Sequence, residues 1–174
     1  MFVDGFHKSR NLVVMSIYYL SINEKNQTDL RHDIEQVSLS EITKISEFSG
    51  YNYLDAVLSE TLRHSSLSAR TLPQKSIDDH QLGSSNSGVK VSNGTFVTVG
   101  LLENNYNSNY YPAGEKFDLI PWLKKKNNVC STYISCPFSV NCCWGRNMGL
   151  IEVQSVLIYL TRNYKYKLNK DYKH

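Results

Sequence analysis

The stretch from Phe2 to Ile22 constrains this chain more than any other. Leu12, Met15, Tyr19 and Ile22 recur at helical spacing, and Val13, Val14, Ile17, Tyr18 and Leu20 carry the apolar surface round most of the helix. A helix apolar on most sides is stable only where other elements surround it. Residues 2–22 therefore predict a buried helix within a mainly α-helical protein larger than this chain. Ser16 and Ser21 interrupt the run from Leu12 to Ile22, which falls short of the roughly 18 consecutive apolar residues of a membrane span. No basic region leads into it, so it does not read as a targeting signal. The helix is already under way at the first residues with no capping side chain before it, the pattern of a start that has been cut away.

More helices follow. Thr28 to Gln36 reads as amphipathic, with Leu30, Ile34 and Val37 on one stripe and Asp29, Arg31, Asp33 and Glu35 outside. Ser38 with Glu41 resembles a capping box for a short helix through Ile45, and Gly50 breaks the chain. A stronger helix spans Tyr53 to His64, turning Leu54, Val57, Leu58 and Leu62 inward at spacings of three and four. Short strands come next: Ala69 to Leu72, then Val89 to Val91 and Thr95 to Val99, with Asn93-Gly94 between the last two as a turn. Residues 103–111 and 112–122 read as irregular chain, and 136–144 as a loop. A last helix runs from Arg146 to Arg162, with Leu150, Val153, Leu157 and Leu160 on one side, and a polar tail closes the chain. No repeat and no second domain boundary is visible.

Charge matters only for what it excludes. The net charge is +3, and the densest basic groups are Lys124 to Lys126 and the tail lysines 165, 167, 170 and 173. Nucleic-acid binders concentrate charge on one element; here a solvated loop and a solvated end account for it. The four cysteines, 130, 136, 142 and 143, crowd the last third. A disulfide framework would spread them through the fold. The cluster instead suits one ligand cysteine among small buried hydrophobes, or only free buried cysteines.

Two groups of residues have chemical potential. Glu60 and Arg63 stand three apart on one helix face, close to the apolar stripe, and a buried arginine needs a carboxylate partner. The second group is Pro137 to Gly149, a loop holding Cys142, Cys143 and Gly145 that leads into the last helix. A thiolate just before a helix gains from free backbone N–H groups and the positive helix end. Gly145 allows a tight turn there, at a position expected to refuse a side chain.

Taken in order, these segments resemble the C-terminal part of the cytochrome P-450 family of heme-thiolate monooxygenases, over nearly the whole chain. Glu60-Thr61-Leu62-Arg63 is similar to the family's Glu-x-x-Arg helix, and Arg70 falls where the family supplies an arginine to a heme propionate. Val89 to Val99 resembles its strand hairpin, and Tyr111 to Asp118 with Trp122 resembles its meander. Cys143-Trp144-Gly145 resembles the ligand cysteine ahead of the proximal helix; Cys143 matches where Cys142 does not, because the family pattern is Cys-x-Gly. Phe2 to Ser9 aligns with the oxygen-activation segment, putting His7, Lys8 and Ser9 at its catalytic positions.

The resemblance implies a mainly α fold with a small β region, present as a single incomplete domain over residues 1–174. It implies heme (iron protoporphyrin) with Cys143 as metal ligand, Arg70, Phe138 and Gly145 around the cofactor, and Glu60 with Arg63 in a structural role. It also implies an oxidoreductase that inserts one oxygen atom from O2 into a small apolar substrate, with electrons from a reductase and no nucleic acid. Complete relatives are often membrane-anchored, and this chain shows neither a signal nor a transmembrane segment.

The departures from the pattern are specific. At the oxygen-activation segment only Gly5 and Ser9 match; His7 stands for the acid and Lys8 for the first hydroxyl. Four residues separate Phe138 from Cys143 where the family has six, so the loop cannot follow the same path. The loop's glycine and propionate-binding arginine are absent. Pro121 occupies the place of the meander arginine that joins the Glu-Arg pair, which predicts a carboxylate short of one partner. These departures open a second reading, an inactive degenerate relative without heme. A third is a small metal-binding module of Cys130, Cys136, Cys142 and Cys143, whose spacings lack the Cys-x-x-Cys hooks of tetrahedral sites.

Overall fold

A computed structural model describes residues 2–36, 51–66, 68–83, 88–124, 145–169 and 171. Among them the helices are α1 (Phe2–Ile22), α2 (Glu24–Glu35), α3 (Asn52–His64), α4 (Leu101–Asn105), α5 (Ile120–Leu123) and α6 (Arg146–Asn163). The strands are β1 (Gln74–Lys75), β2 (His80–Leu82), β3 (Val89–Val91) and β4 (Phe96–Val97). The architecture is mainly helical with a small β region. No helix among the described residues is long and apolar enough to cross a membrane.

Helix α3 is the most enclosed element. It packs against α1, α2, α4 and α5, and nine of its residues are buried, from Leu54 to His64. Helix α1 lies across α3 and α6 and buries Leu12, Ser16 and Leu20, which recur every four residues. Its opposite side remains open: Phe6, Val14 and Ile22 are more than half exposed. The all-round apolarity of residues 2–22 thus exceeds what the described residues cover. Leu30 and Ile34 of α2, with Val153, Leu157 and Ile158 of α6, close the same core. The buried Ser16 and Thr61 satisfy one another: Ser16 Oγ lies 3.4 Å from Thr61 Oγ1, which bonds the Val57 carbonyl at 2.7 Å.

Helix α2 starts four residues earlier than its apolar stripe suggests. Asn23 caps it, accepting from the Asn26 N–H at 3.1 Å. The expected capping box at Ser38 and Glu41, the short helix through Ile45 and the break at Gly50 lie outside the described residues.

The strand hairpin is a correction. Asn93-Gly94 does turn the chain, with Gly94 at φ +85° and Thr95 N–H on the Ser92 carbonyl. The strands on either side do not pair with each other. Instead β3 pairs antiparallel with β2, and β4 with β1. Ala69 to Leu72 forms a single bridge, Arg70 to Gly100, with no regular strand. Short helices α4 and α5 occupy part of what reads as irregular chain.

The C-terminal tail is fastened. Arg31 donates to the carbonyls of Arg162 and Tyr164, and Arg162 donates back to that of Ile34. The buried Gln27 side chain donates to the Leu20 and Tyr166 carbonyls and accepts from Tyr166 N–H.

Candidate functional site

The most developed polar site is built on the last turn of α3. Glu60 and Arg63 share one face, and both are about 98% buried or more. Arg63 Nε reaches Glu60 Oε2 at 2.8 Å and Nη2 reaches Oε1 at 2.8 Å, a bidentate pair. The remaining guanidinium hydrogens go to backbone carbonyls: Nη1 to Asn105 and Gly114 at 2.9 and 2.8 Å, and Nη2 to Lys116 at 3.1 Å. All five donors of the arginine are therefore used. Tyr111 and Tyr106 cover its face, with ring centres 5.0 and 5.7 Å from Cζ. Gly114 permits this approach, since a Cβ there would meet the Tyr106 and Tyr111 carbonyl oxygens at 3.2 Å.

The carboxylate is not short of a partner, contrary to the expectation from Pro121. Asp118 N–H donates to Glu60 Oε1 at 2.8 Å, and the indole Nε1–H of Trp122 donates to Oε2 at 2.9 Å. A neutral donor thus fills the place of the missing cation. Sequence reasoning set Trp122 on the meander without giving it this role. The available signal was an aromatic N–H donor one residue past the absent arginine. Burial alone would depress the ionisation of Arg63, but the bonds and charge of Glu60 outweigh it and raise its pKa.

His64 completes the cluster. Its ring meets those of Tyr19, Tyr106 and Phe117 at 5.4 to 5.8 Å, and Tyr19 stacks on Phe117 at 4.4 Å. The Tyr106 hydroxyl lies 3.1 Å from His64 Nδ1 and donates to the His64 carbonyl at 3.0 Å. Nε2 sits 3.6 Å from Glu60 Oε1. Burial, aided by the Arg63 charge, holds the imidazole pKa below the ordinary histidine value.

The residues aligned to catalysis and cofactor binding are placed differently. His7 is exposed on α1, and Lys8 and Ser9 are half-buried. Ser9 Oγ stands 3.6 Å from where a Cβ on Gly149 of α6 would lie, so α1 meets α6 directly at this point. Arg70 is exposed and held through its backbone. Gly145 opens α6 at φ −87°, and no described residue comes within 4 Å of where a Cβ on it would point. Cys130, Cys136, Cys142, Cys143 and Phe138 lie outside the described residues. Among the described residues no group of three or more His, Cys, Asp or Glu side chains is placed to hold a metal. The structure brings Glu60 and Arg63 together and brings Ser9 against the start of α6. Arg70 joins neither site.

Residues 1–174 match the family model described as Cytochrome P450. The chain is 27% identical to Cytochrome P450 6j1 of Blattella germanica, over 94% of its own length and 32% of the relative's. It is 25% identical to dideacetyl fusicoccin A C-19 hydroxylase of Phomopsis amygdali, over 99% and 34%. It is 24% identical to thromboxane-A synthase of Sus scrofa, over 95% and 31%. The chain thus spans about a third of the length of these curated relatives.

Proposed function

The chain belongs to the cytochrome P450 family, and from that premise we propose that it is a degenerate member, of monooxygenase origin, that keeps the family's buried Glu-Arg lock but not its heme slot. On this reading Cys143, Gly145, Phe138 and Arg70 are remnants of a heme cradle. His7, Lys8 and Ser9 are remnants of an oxygen-activation segment, and no reductase, O2 or substrate is engaged through them.

The observation that carries the reading is how near Ser9 comes to Gly149, its Oγ lying 3.6 Å from where a Cβ on that glycine would stand. In the family pattern the cofactor lies between the oxygen-activation segment on one side and the cysteine-led helix on the other. Carbon atoms pack at about 3.5–4.0 Å, so a ring one atom thick needs about 7 Å between the atoms flanking it. Adding a C–C bond of about 1.5 Å puts Ser9 Oγ at most about 5 Å from the Gly149 Cα, which leaves room for no ring. The described residues do not fit heme at this point, and no reaction step is derived through it. The exposed His7 and the Lys8 beside it point the same way, because neither reproduces the acid and hydroxyl that the family uses.

The test is spectroscopic. The expressed chain is mixed with hemin, reduced and exposed to carbon monoxide. The expected result is no thiolate-type ferrous carbonyl spectrum. Appearance of that spectrum, lost in Cys143→Ser and kept in Cys142→Ser, would restore the heme-binding reading.

A further inference from the structure

Further along α1 from Ser9, a groove of about 500 Å³ runs between the helix and the fastened C-terminal tail. Its floor is apolar, made by Val14, Ile17 and Tyr18. Across from them the tail contributes Tyr166 and Leu168, and Lys165 and Lys167 stand between. Tyr166 turns inward, its hydroxyl 3.1 Å from Thr161 Oγ1.

We propose that this groove binds a long-chain carboxylate, with its methylenes along Val14, Ile17 and Tyr18 and its head group between Lys165 and Lys167. Charge complementarity selects the occupant. The floor gives a small hydrophilic anion nothing to cover, and the lysines repel a cationic amphiphile. The carboxylate now beside them, Glu24, lies 3.4 Å from Lys165 Nζ with both side chains more than half in water, an arrangement a ligand head group readily displaces. The volume lies toward the lower end of small-molecule sites, about 300–1,000 Å³, which suits one acyl chain. The backbone that carries the lysines is also held beforehand. Gln27 clamps Tyr166 through both its N–H and its carbonyl, and Arg31 holds the Tyr164 carbonyl. Binding therefore orders the two side chains and little of the backbone.

The full chain is titrated calorimetrically with dodecanoate below its micelle concentration. One saturable site is expected, with affinity rising by up to about fourfold for each methylene added between octanoate and dodecanoate. Uncharged dodecanol is expected to bind about tenfold more weakly or worse, and Lys165→Gln with Lys167→Gln to cost about tenfold for dodecanoate. Val14 is 56% exposed, so Val14→Asp removes the floor without entering the core, and helical circular dichroism should be unchanged while binding is lost. Equal affinity for dodecanol, or undiminished binding in the lysine double variant, would overturn the proposal. So would binding confined to anionic vesicles with none to the monomer, which would assign this face to a membrane. The readout does not involve heme, so its outcome is separable from that of the carbon monoxide test.

Discussion

Trp122 donates its indole N–H to Glu60 Oε2 at 2.9 Å, on a carboxylate whose two oxygens Arg63 already grips. This single bond replaces the second cation of the family pattern. The buried assembly consequently carries one negative and one positive charge, with His64 kept neutral beside them. Trp122→Phe keeps the ring and removes the donor. A hydrogen bond to a buried charge contributes about 1.5–3 kcal/mol, so urea unfolding should show a loss of that order with an unchanged slope. An unchanged midpoint would mean that water takes over the contact.

That exchange also shows where sequence reasoning reached its limit. The Glu60 and Arg63 pairing was legible because residues three apart on a helix face each other whatever surrounds them. The fold class was legible for the same reason, through the periodicity of Leu54, Val57, Leu58 and Leu62. Trp122 lies 62 positions from Glu60, and the carbonyls of Asn105, Gly114 and Lys116 carry no side-chain signature. Backbone acceptors depend on the path of the chain, which spacing does not encode. The strand partners failed on similar grounds: Asn93-Gly94 announces a turn but not which sheet each arm joins.

His64 should make stability depend on acid. Its folded pKa is lowered by burial, and the positive Arg63 lowers it further against the opposing pull of Glu60. In the unfolded chain the imidazole titrates near its ordinary value of about 6.5. Above that pH neither state is protonated and the contribution is complete. Below it the unfolded chain takes a proton that the folded chain refuses, so stability falls with pH by up to about 1.4 kcal/mol per unit. Unfolding free energies of the parent and His64→Gln, measured from pH 7.5 downward, should diverge in slope only below about pH 6.5. Parallel curves through that range would refute the assignment.

Asp55 offers a complementary test on α3. Burial raises its pKa, the Asp33 charge adds to the effect, and the Gln154 amide at 2.9 Å opposes both by donating to Oδ1. Gln154→Leu deletes the group that favours the ionised form. The Asp55 carboxyl followed by carbon NMR should then titrate at higher pH than in the parent. A shift to lower pH would show that the amide does not act on this oxygen.

Gln27 is the residue on which the tail depends, because its amide uses both ends. Nε2 faces the Leu20 and Tyr166 carbonyls at 3.1 Å each, and Oε1 accepts from Tyr166 N–H at 2.9 Å. Gln27→Glu is nearly isosteric yet replaces the donor with an acceptor aimed at two carbonyl oxygens. The Leu20 carbonyl, which is buried, and the Tyr166 carbonyl, which is part-buried, then lose their hydrogen, at a cost of about 1–3 kcal/mol for the buried one. The α1–α3–α6 core does not pass through this side chain, so the damage should stay local. Limited trypsin digestion should cut after Lys165 and Lys167 many times faster in the variant, while the rest of the chain keeps its helical signal. Equal cleavage in parent and variant would show that the arginine bonds to the Arg162 and Tyr164 carbonyls hold the tail without Gln27.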